Sequence, residues 1–498
     1  MTAFYLWLYN DCMSTSISHA AAPQRPSAAQ KRVILGTCCL SLFLVSMDAT
    51  IVNVALPDIQ HELKASISDL QWVVDAYTIV IASFLMLGGA TADRFGRRRI
   101  LQTGMSLFTL ASLLCSLAVD IRWLIAARVL QALGGSMMNP VAMSIIVHTF
   151  DDAKSRARAI GVWGAVAGVA LALGPLAGGV LTQMVGWHAI FWINVPIGVF
   201  ALWLTLRYIP ESRAPRARKP DPIGQALLLV ALGSLVYAVI ESGRGAAAWT
   251  VSALIAALAV AGLIAYERRR DEPLLDLRFF HSLPFSSATG IAVCMFAAFG
   301  GFLFLNSIYL QEVRGMSPFA AGMMIASAAV PVILVSPFSG RLVGTHGARP
   351  SLLVSSVALA LSALALTQLQ ADTPLSVLAL VYALFGVGFG MVNAPVTFAA
   401  VSGMPRAQAG LASAVASTSR QVGVSIGVAL AGALAGAPGG NATSWADFPK
   451  ATHWFWWILA AFGVLIGVLG VISTGERARA STEKIAHLLE EPRPRGAA

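Results

Sequence analysis

Fourteen times along its 498 residues the chain runs apolar for the roughly 20 positions that a helix needs to cross about 30 Å of hydrocarbon. The stretches lie near 33–56, 70–91, 99–119, 122–149, 157–184, 188–208, 222–241, 250–267, 285–309, 319–339, 350–370, 374–400, 408–435 and 453–473. In lipid every backbone polar group must be satisfied internally, and runs of this length do so as helices. The expected fold class is an all-α polytopic membrane protein with 14 transmembrane helices. Charged residues are 12% of the chain, about half a soluble domain's share, which argues against a soluble enzyme or a nucleic-acid binder despite a net charge of +10. The connections are too short for a soluble domain.

The basic residues are sorted. With the amino terminus in the cytoplasm, 27 of the 34 Lys and Arg fall on the inner side, while Lys64, Arg122, Arg244, Arg314 and Lys450 fall outside. This bias supports an even number of spans with both termini cytoplasmic. The two left over, Arg128 and Arg420, lie within helices. Residues 1–32 read as a disordered cytoplasmic tail, because Phe4 to Tyr9 is too short to span and lacks the basic flank of a signal peptide. A start at Met13 is the alternative, and residues 474–498 form a second cytoplasmic tail. Cys12, Cys38, Cys39, Cys115 and Cys294 have no metal-ligand spacing, and no phosphate-binding Gly-Lys loop occurs. Neither a metal nor a cofactor is expected, and a proton gradient is the energy source that remains.

An internal repeat is visible. GGSMMNPV (Gly134 to Val141) echoes GFGMVNAPV (Gly388 to Val396), placing Asn139 and Asn393 254 positions apart. Asn53 and Asn306 differ by 253, and Gly89 and Gly340, each expected to open a loop, by 251. Two parallel six-helix halves, 33–208 and 285–473, follow, with an inserted two-helix hairpin in 209–284.

Several residues stand out against this apolar background. Asp48 lies about sixteen residues into the first span, where a charge is expensive and points to function. Burial favours its neutral form and a nearby cation its charged form. Asp75 lies one turn inside the outer interface, as a second proton site, an attractor of cations, or an acid facing water. Arg128, Gln131, Gly135 and Asn139 share one helix face, so Arg128 either faces the central cavity or ties helices together. In WGAVAGVALALGPLAGG (Trp163 to Gly179), Gly164 and Gly168 belong to a small-residue stripe that permits close packing, and Gly174-Pro175 invites a kink. The loop after the second span carries Gly89, Asp93, Arg94, Gly96, Arg97 and Arg98.

That loop's spacing, Gly-x-x-x-Asp-Arg-x-Gly-Arg-Arg, resembles the signature loop of the major facilitator superfamily, which implies a conformational latch between the halves with Asp93 and Arg97 as its charged parts. MDATIVNVALPDI (Met47 to Ile59) and QWVVDAYTI (Gln71 to Ile79) resemble signatures of its fourteen-span drug:proton antiporter family. WHAIFWINVPIG (Trp187 to Gly198), YLQEVRGMSPFAAG (Tyr309 to Gly322) and GLASAVASTSRQVGVSIG (Gly410 to Gly427) are similar to further segments of that family, although His188 stands where Arg is usual. Arg128 resembles the helix-4 arginine associated with proton coupling, with Ala132 in place of the usual Gly. Gly174-Pro175 followed by Gly178-Gly179 is similar to the antiporter motif of exporters.

The resemblance implies proton-coupled efflux of amphiphilic, cationic compounds across the inner membrane by alternating access. Asp48, Asp75 and Arg128 would handle the proton, and Asn53, Gln131, Asn139, Asn306, Asn393 and Arg420 are cavity candidates. Glu312 is either an outer-loop acid or a gate residue. The expected partners are a small-molecule substrate, protons and the bilayer, with periplasmic adaptor proteins an open possibility and a monomer the simplest state. A dedicated exporter of one metabolite or antibiotic, an uptake symporter, and a transport-inactive receptor are the alternatives.

Overall fold

The computed structural model describes the chain except residues 1–26, 151, 215–220, 244–245, 271–272, 403, 405–407, 436–447 and 491–498. Most of the expected amino-terminal tail, Cys12 and Arg244 therefore lie outside the described residues. The first half consists of α1 (Ala28–Leu63), α2 (Ile67–Phe95), α3 (Arg97–Ser116), α4 (Ile121–Thr149), α5 (Ala153–Val185) and α6 (Ala189–Tyr208). The hairpin is α7 (Pro222–Ile240) and α8 (Ala246–Glu267). The second half contains α9 (Leu283–Ile308), α10 (Pro318–His346), α11 (Ala348–Leu366), α12 (Leu375–Val401), α13 (Ala409–Ala435) and α14 (His453–Ile472). Helix starts are set locally. Ser66 and Asp69 form a reciprocal capping box on α2, and Ser317 followed by Pro318 opens α10.

Twelve helices among the described residues are long and apolar enough to cross a membrane, against the fourteen expected. The two that fall short, α3 and α13, occupy the expected places. Three arginines at the start of α3, and Arg420 with several Ser and Thr in α13, lower their apolarity. Helix ends also differ from the expected ones. Gly89 and Gly340 lie inside α2 and α10 and do not open loops, because both helices continue past their apolar cores. Within the expected carboxyl tail, Glu476–Glu490 forms an amphipathic helix, α15, which packs on the start of α9 and whose Ser481 Oγ accepts from Leu283 N at 3.1 Å.

The packing repeats between the halves. α1 lies on α5, α2 on α4, α3 on α4, and α3 on α6; α9 lies on α13, α10 on α12, α11 on α12, and α11 on α14. These are equivalent pairs when α1–α6 are laid on α9–α14. The halves meet through α5 with α10 and α2 with α13, which the same correspondence exchanges. The hairpin stands outside the repeat, with α7 against α2 and α13.

Hydrogen bonds join the halves at one end of the molecule. Gln71 Nε2 donates to Val428 O and Ala429 O at 3.2 and 2.8 Å, Gln311 Nε2 to Val54 O at 2.9 Å, and Phe319 N to Gln183 Oε1 at 3.2 Å. His61 Nε2 pairs with Glu312 Oε1 at 2.8 Å, which makes Glu312 part of this closed end. These bonds close the halves against each other at one end. Toward the arginine-rich end, Gly161, Val162, Gly164 and Ala165 of α5 are exposed around most of the helix.

Candidate functional site

Five of the six helices of the first half converge on Asp48. Arg128 Nη1 donates to Asp48 Oδ2 at 2.5 Å, and neither side chain has solvent exposure. Gln131 Nε2 and Asn194 Nδ2 each donate to Asp48 Oδ1 at 2.8 Å. Gln131, one turn after Arg128, accepts from Arg128 Nη1 through Oε1 at 2.7 Å and donates to Ser112 Oγ at 2.8 Å. Arg128 Nε donates to Val73 O at 3.2 Å, and its guanidinium carbon stands 4.0 Å from the Tyr77 ring centroid. α1 thus supplies the acid, α4 the cation and amide, α3 the hydroxyl, α6 a second amide, and α2 a carbonyl and an aromatic face.

Of the two opposing influences on Asp48, the structure places the cation beside it. A buried carboxylate with three donors and a compensating guanidinium is satisfied as an ion, whereas either member alone would be an uncompensated charge in a dry site. A proton that reaches Asp48 therefore competes with Arg128 for the same oxygen. The guanidinium, once released, needs water or another acceptor.

Asp75 is not brought to this cluster. It is fully buried between α2 and α13 and does not face water; it lies opposite Ser425 beyond the reach of a well-formed hydrogen bond. Of the cavity candidates, only Gln131 joins Asp48. Asn53 and Asn393 bond to their own helices, and Asn139 Oδ1 is buried without a partner. Asn306 accepts from Tyr382 Oη in the second half, and Arg420 donates to Thr397 Oγ1 at 2.7 Å beside the Phe296 ring. Asn194 was not singled out from sequence, although a polar residue inside the apolar run FWINVPIG was a usable signal.

The junction of α2 and α3, with Asp93 and Arg94 in the last turn of α2 and Arg97 and Arg98 in the first turn of α3, is engaged by the connection that follows α6. Asp93 and Arg97 pair at 2.9 Å, and Arg97 N donates to Ser212 O. Glu211, which sequence reasoning missed, accepts from Arg98 N and Arg99 N at 3.1 and 3.3 Å, capping the positive end of α3. Gly96 has φ +115°, and a Cβ there would stand 2.6 Å from that carboxylate. Arg94 lies beside the Phe95 ring. Among the described residues, Asp93 and Arg97 thus bond to no group of the second half, whereas a latch between halves requires one.

The glycines of α5 separate into two groups. Gly164 and Gly168 have nothing within 4 Å of an added Cβ, so they provide no close packing in this state. Gly174 and Gly178 face Thr50 and Ile51 of α1, and Gly179 faces Pro318 O of α10, 2.5 Å from the would-be Cβ. Pro175 O is met in turn by Gly322. Among the described residues no group of three or more His, Cys, Asp or Glu is spaced to hold a metal ion.

The chain matches the Major Facilitator Superfamily over residues 38–428 and again over 290–487. It is 40% identical over 390 residues to the multidrug resistance protein Stp of Mycobacterium tuberculosis, covering 77% of this chain and 72% of that one. It is 36% identical over 394 residues to the tetracenomycin C resistance and export protein of Streptomyces glaucescens, at 78% and 72% coverage. It is 30% identical over 394 residues to the riboflavin transporter RibZ of Clostridioides difficile, at 79% and 86% coverage. In fold, it resembles a bacterial homologue of the human lysosomal transporter Spinster in an inward-facing, occupied conformation, with a TM-score of 0.63 at 15% identity over 92% of this chain and 99% of that one.

Proposed function

The chain belongs to the Major Facilitator Superfamily and is a multi-pass membrane transporter, and from that premise we propose that it exports amphiphilic, cationic compounds in exchange for protons. The observation that carries the reading is the Asp48–Arg128 pair, fully buried and clasped by Gln131 and Asn194. An intramembrane ion pair of this kind is a place where a proton and a conformational change can be exchanged. The relatives named for drug resistance and export support the outward direction.

In this reading the arginine-rich end is cytoplasmic, the protein lies in the cytoplasmic membrane, and α3 and α13 complete fourteen spans with both termini inside. The structure then represents the inward-open state. Substrate enters from the cytoplasm, the halves rock, and a proton arriving from outside protonates Asp48, frees Arg128 and disfavours the substrate-bound arrangement. Coupling needs only different affinities for proton and substrate in the two access states. The loop bearing Asp93, Arg94 and Arg97 closes the inner end in the opposite state, where it finds partners in the second half. Asp75 is assigned to the outer closure with Gln71.

The test is dye accumulation in cells that express the protein. Wild type is expected to lower the steady level of a lipophilic cationic dye, with the effect abolished by a protonophore and by Asp48→Asn. Export that continues undiminished without a proton gradient would refute the coupling, and equal accumulation with and without the protein across a broad panel of cations would refute the substrate class.

A further inference from the structure

The foot of the inserted hairpin carries a polar cluster that the transport reading does not use. Asp221 caps α7, its Oδ1 accepting from Gly224 N at 2.9 Å and from Tyr266 Oη at 3.2 Å, with Arg270 Nη1 3.5 Å away. Glu267 ends α8, and its Oε2 accepts from Leu275 N at 3.3 Å, in the linker that leads to α9. The other oxygen of each acid, Asp221 Oδ2 and Glu267 Oε1, has no hydrogen-bond partner, although the residues are only 4% and 2% exposed. Each of these two oxygens lies 2.6 Å from the point where a Cβ on Gly224 would stand, so both carboxyls converge on the space that the glycine leaves.

Two ionised carboxylates that converge in a buried site repel, and burial without a partner is costly for each. Arg270 is shared between Asp221 and Tyr266 Oη, to which it donates at 2.7 Å. Asp93 of α2 pairs with Arg97, Arg94 lies by Phe95, and Arg420 of α13 donates to Thr397. Gln225, next to Gly224, is 1% exposed and its amide is likewise unpartnered.

We propose that Asp221 and Glu267 hold one proton between them, which makes the foot of the hairpin a proton-binding site separate from the Asp48–Arg128 pair. The proton comes from water at the arginine-rich face, sits on Glu267 Oε1 and is donated to Asp221 Oδ2. Its loss returns it to water and leaves two like charges beside Gly224. As a carboxylate Glu267 accepts more strongly from Leu275 N, so the linker between the hairpin and the second half is fastened when the proton leaves. None of this depends on what the protein transports.

Infrared titration of the purified full-length chain in lipid nanodiscs tests it. One carboxylic-acid carbonyl band, lost at alkaline pH, is expected to disappear in Glu267→Gln and equally in Asp221→Asn, which retains a capping side chain. Failure of both substitutions to remove any such band, or removal by Glu267→Gln alone, overturns the shared proton. If one substitution prevents folding, the other is read by thermal stability. The folded wild type holds a proton that the unfolded chain has released, so its Tm falls as pH rises, and the variant loses that part of the fall. Parallel Tm curves for wild type and variant overturn the proposal.

Discussion

Asp48 accepts from Arg128, Gln131 and Asn194 at once, and the consequences of removing each are different. Arg128→Gln strands a buried carboxylate and is expected to cost about 3–5 kcal/mol. Adding Asp48→Asn removes that stranded charge, so the double variant should be more stable than Arg128→Gln alone. Thermal denaturation in detergent measures this, and additive losses would mean the two do not interact. Asn194→Ala removes one donor from the ionised form only. Asn194→Ala should therefore cost less stability than Arg128→Gln, about 1–3 kcal/mol in thermal denaturation; no measurable loss would mean that Asn194 does not hold the carboxylate. Asp48 and Arg128 were legible in sequence as charges at membrane depth. Their partnership with Asn194 was not, since it depends on how α6 is rotated against α1.

α5 carries two kinds of glycine, and its sequence does not tell them apart. The stripe from Gly164 to Gly179 reads as uniform close packing, yet of its glycines only Gly174, Gly178 and Gly179 meet another helix within 4 Å of an added Cβ. Gly179→Ala should therefore strain the approach to Pro318 and favour the state open at this end, with increased labelling of cysteines placed near residue 319. Gly168→Ala should leave that labelling as in wild type. Equal effects of the two substitutions would contradict the assignment of the closed end. The charged loop was likewise legible as a motif, but Glu211 was hidden among the basic residues of a distant connection and acts through the start of α3.

At the scale of the whole molecule, α9–α14 pack on the plan of α1–α6. What sequence could not supply was the access state, because both states use the same helices and differ only in which ends touch. A cysteine pair replacing Gln183 and Phe319, whose residues are hydrogen-bonded across the halves at 3.2 Å, should cross-link and stop transport, with activity restored by reductant. Cross-linked protein at full activity would mean that α5 and α10 do not part. The central claim is that export is exchanged for protons through the Asp48–Arg128 pair, and everted vesicles test it most directly. With a pH electrode and an imposed proton gradient, adding a lipophilic cation should release protons from vesicles that contain wild type and not from those that contain Asp48→Asn. Equal proton release from both would contradict the account.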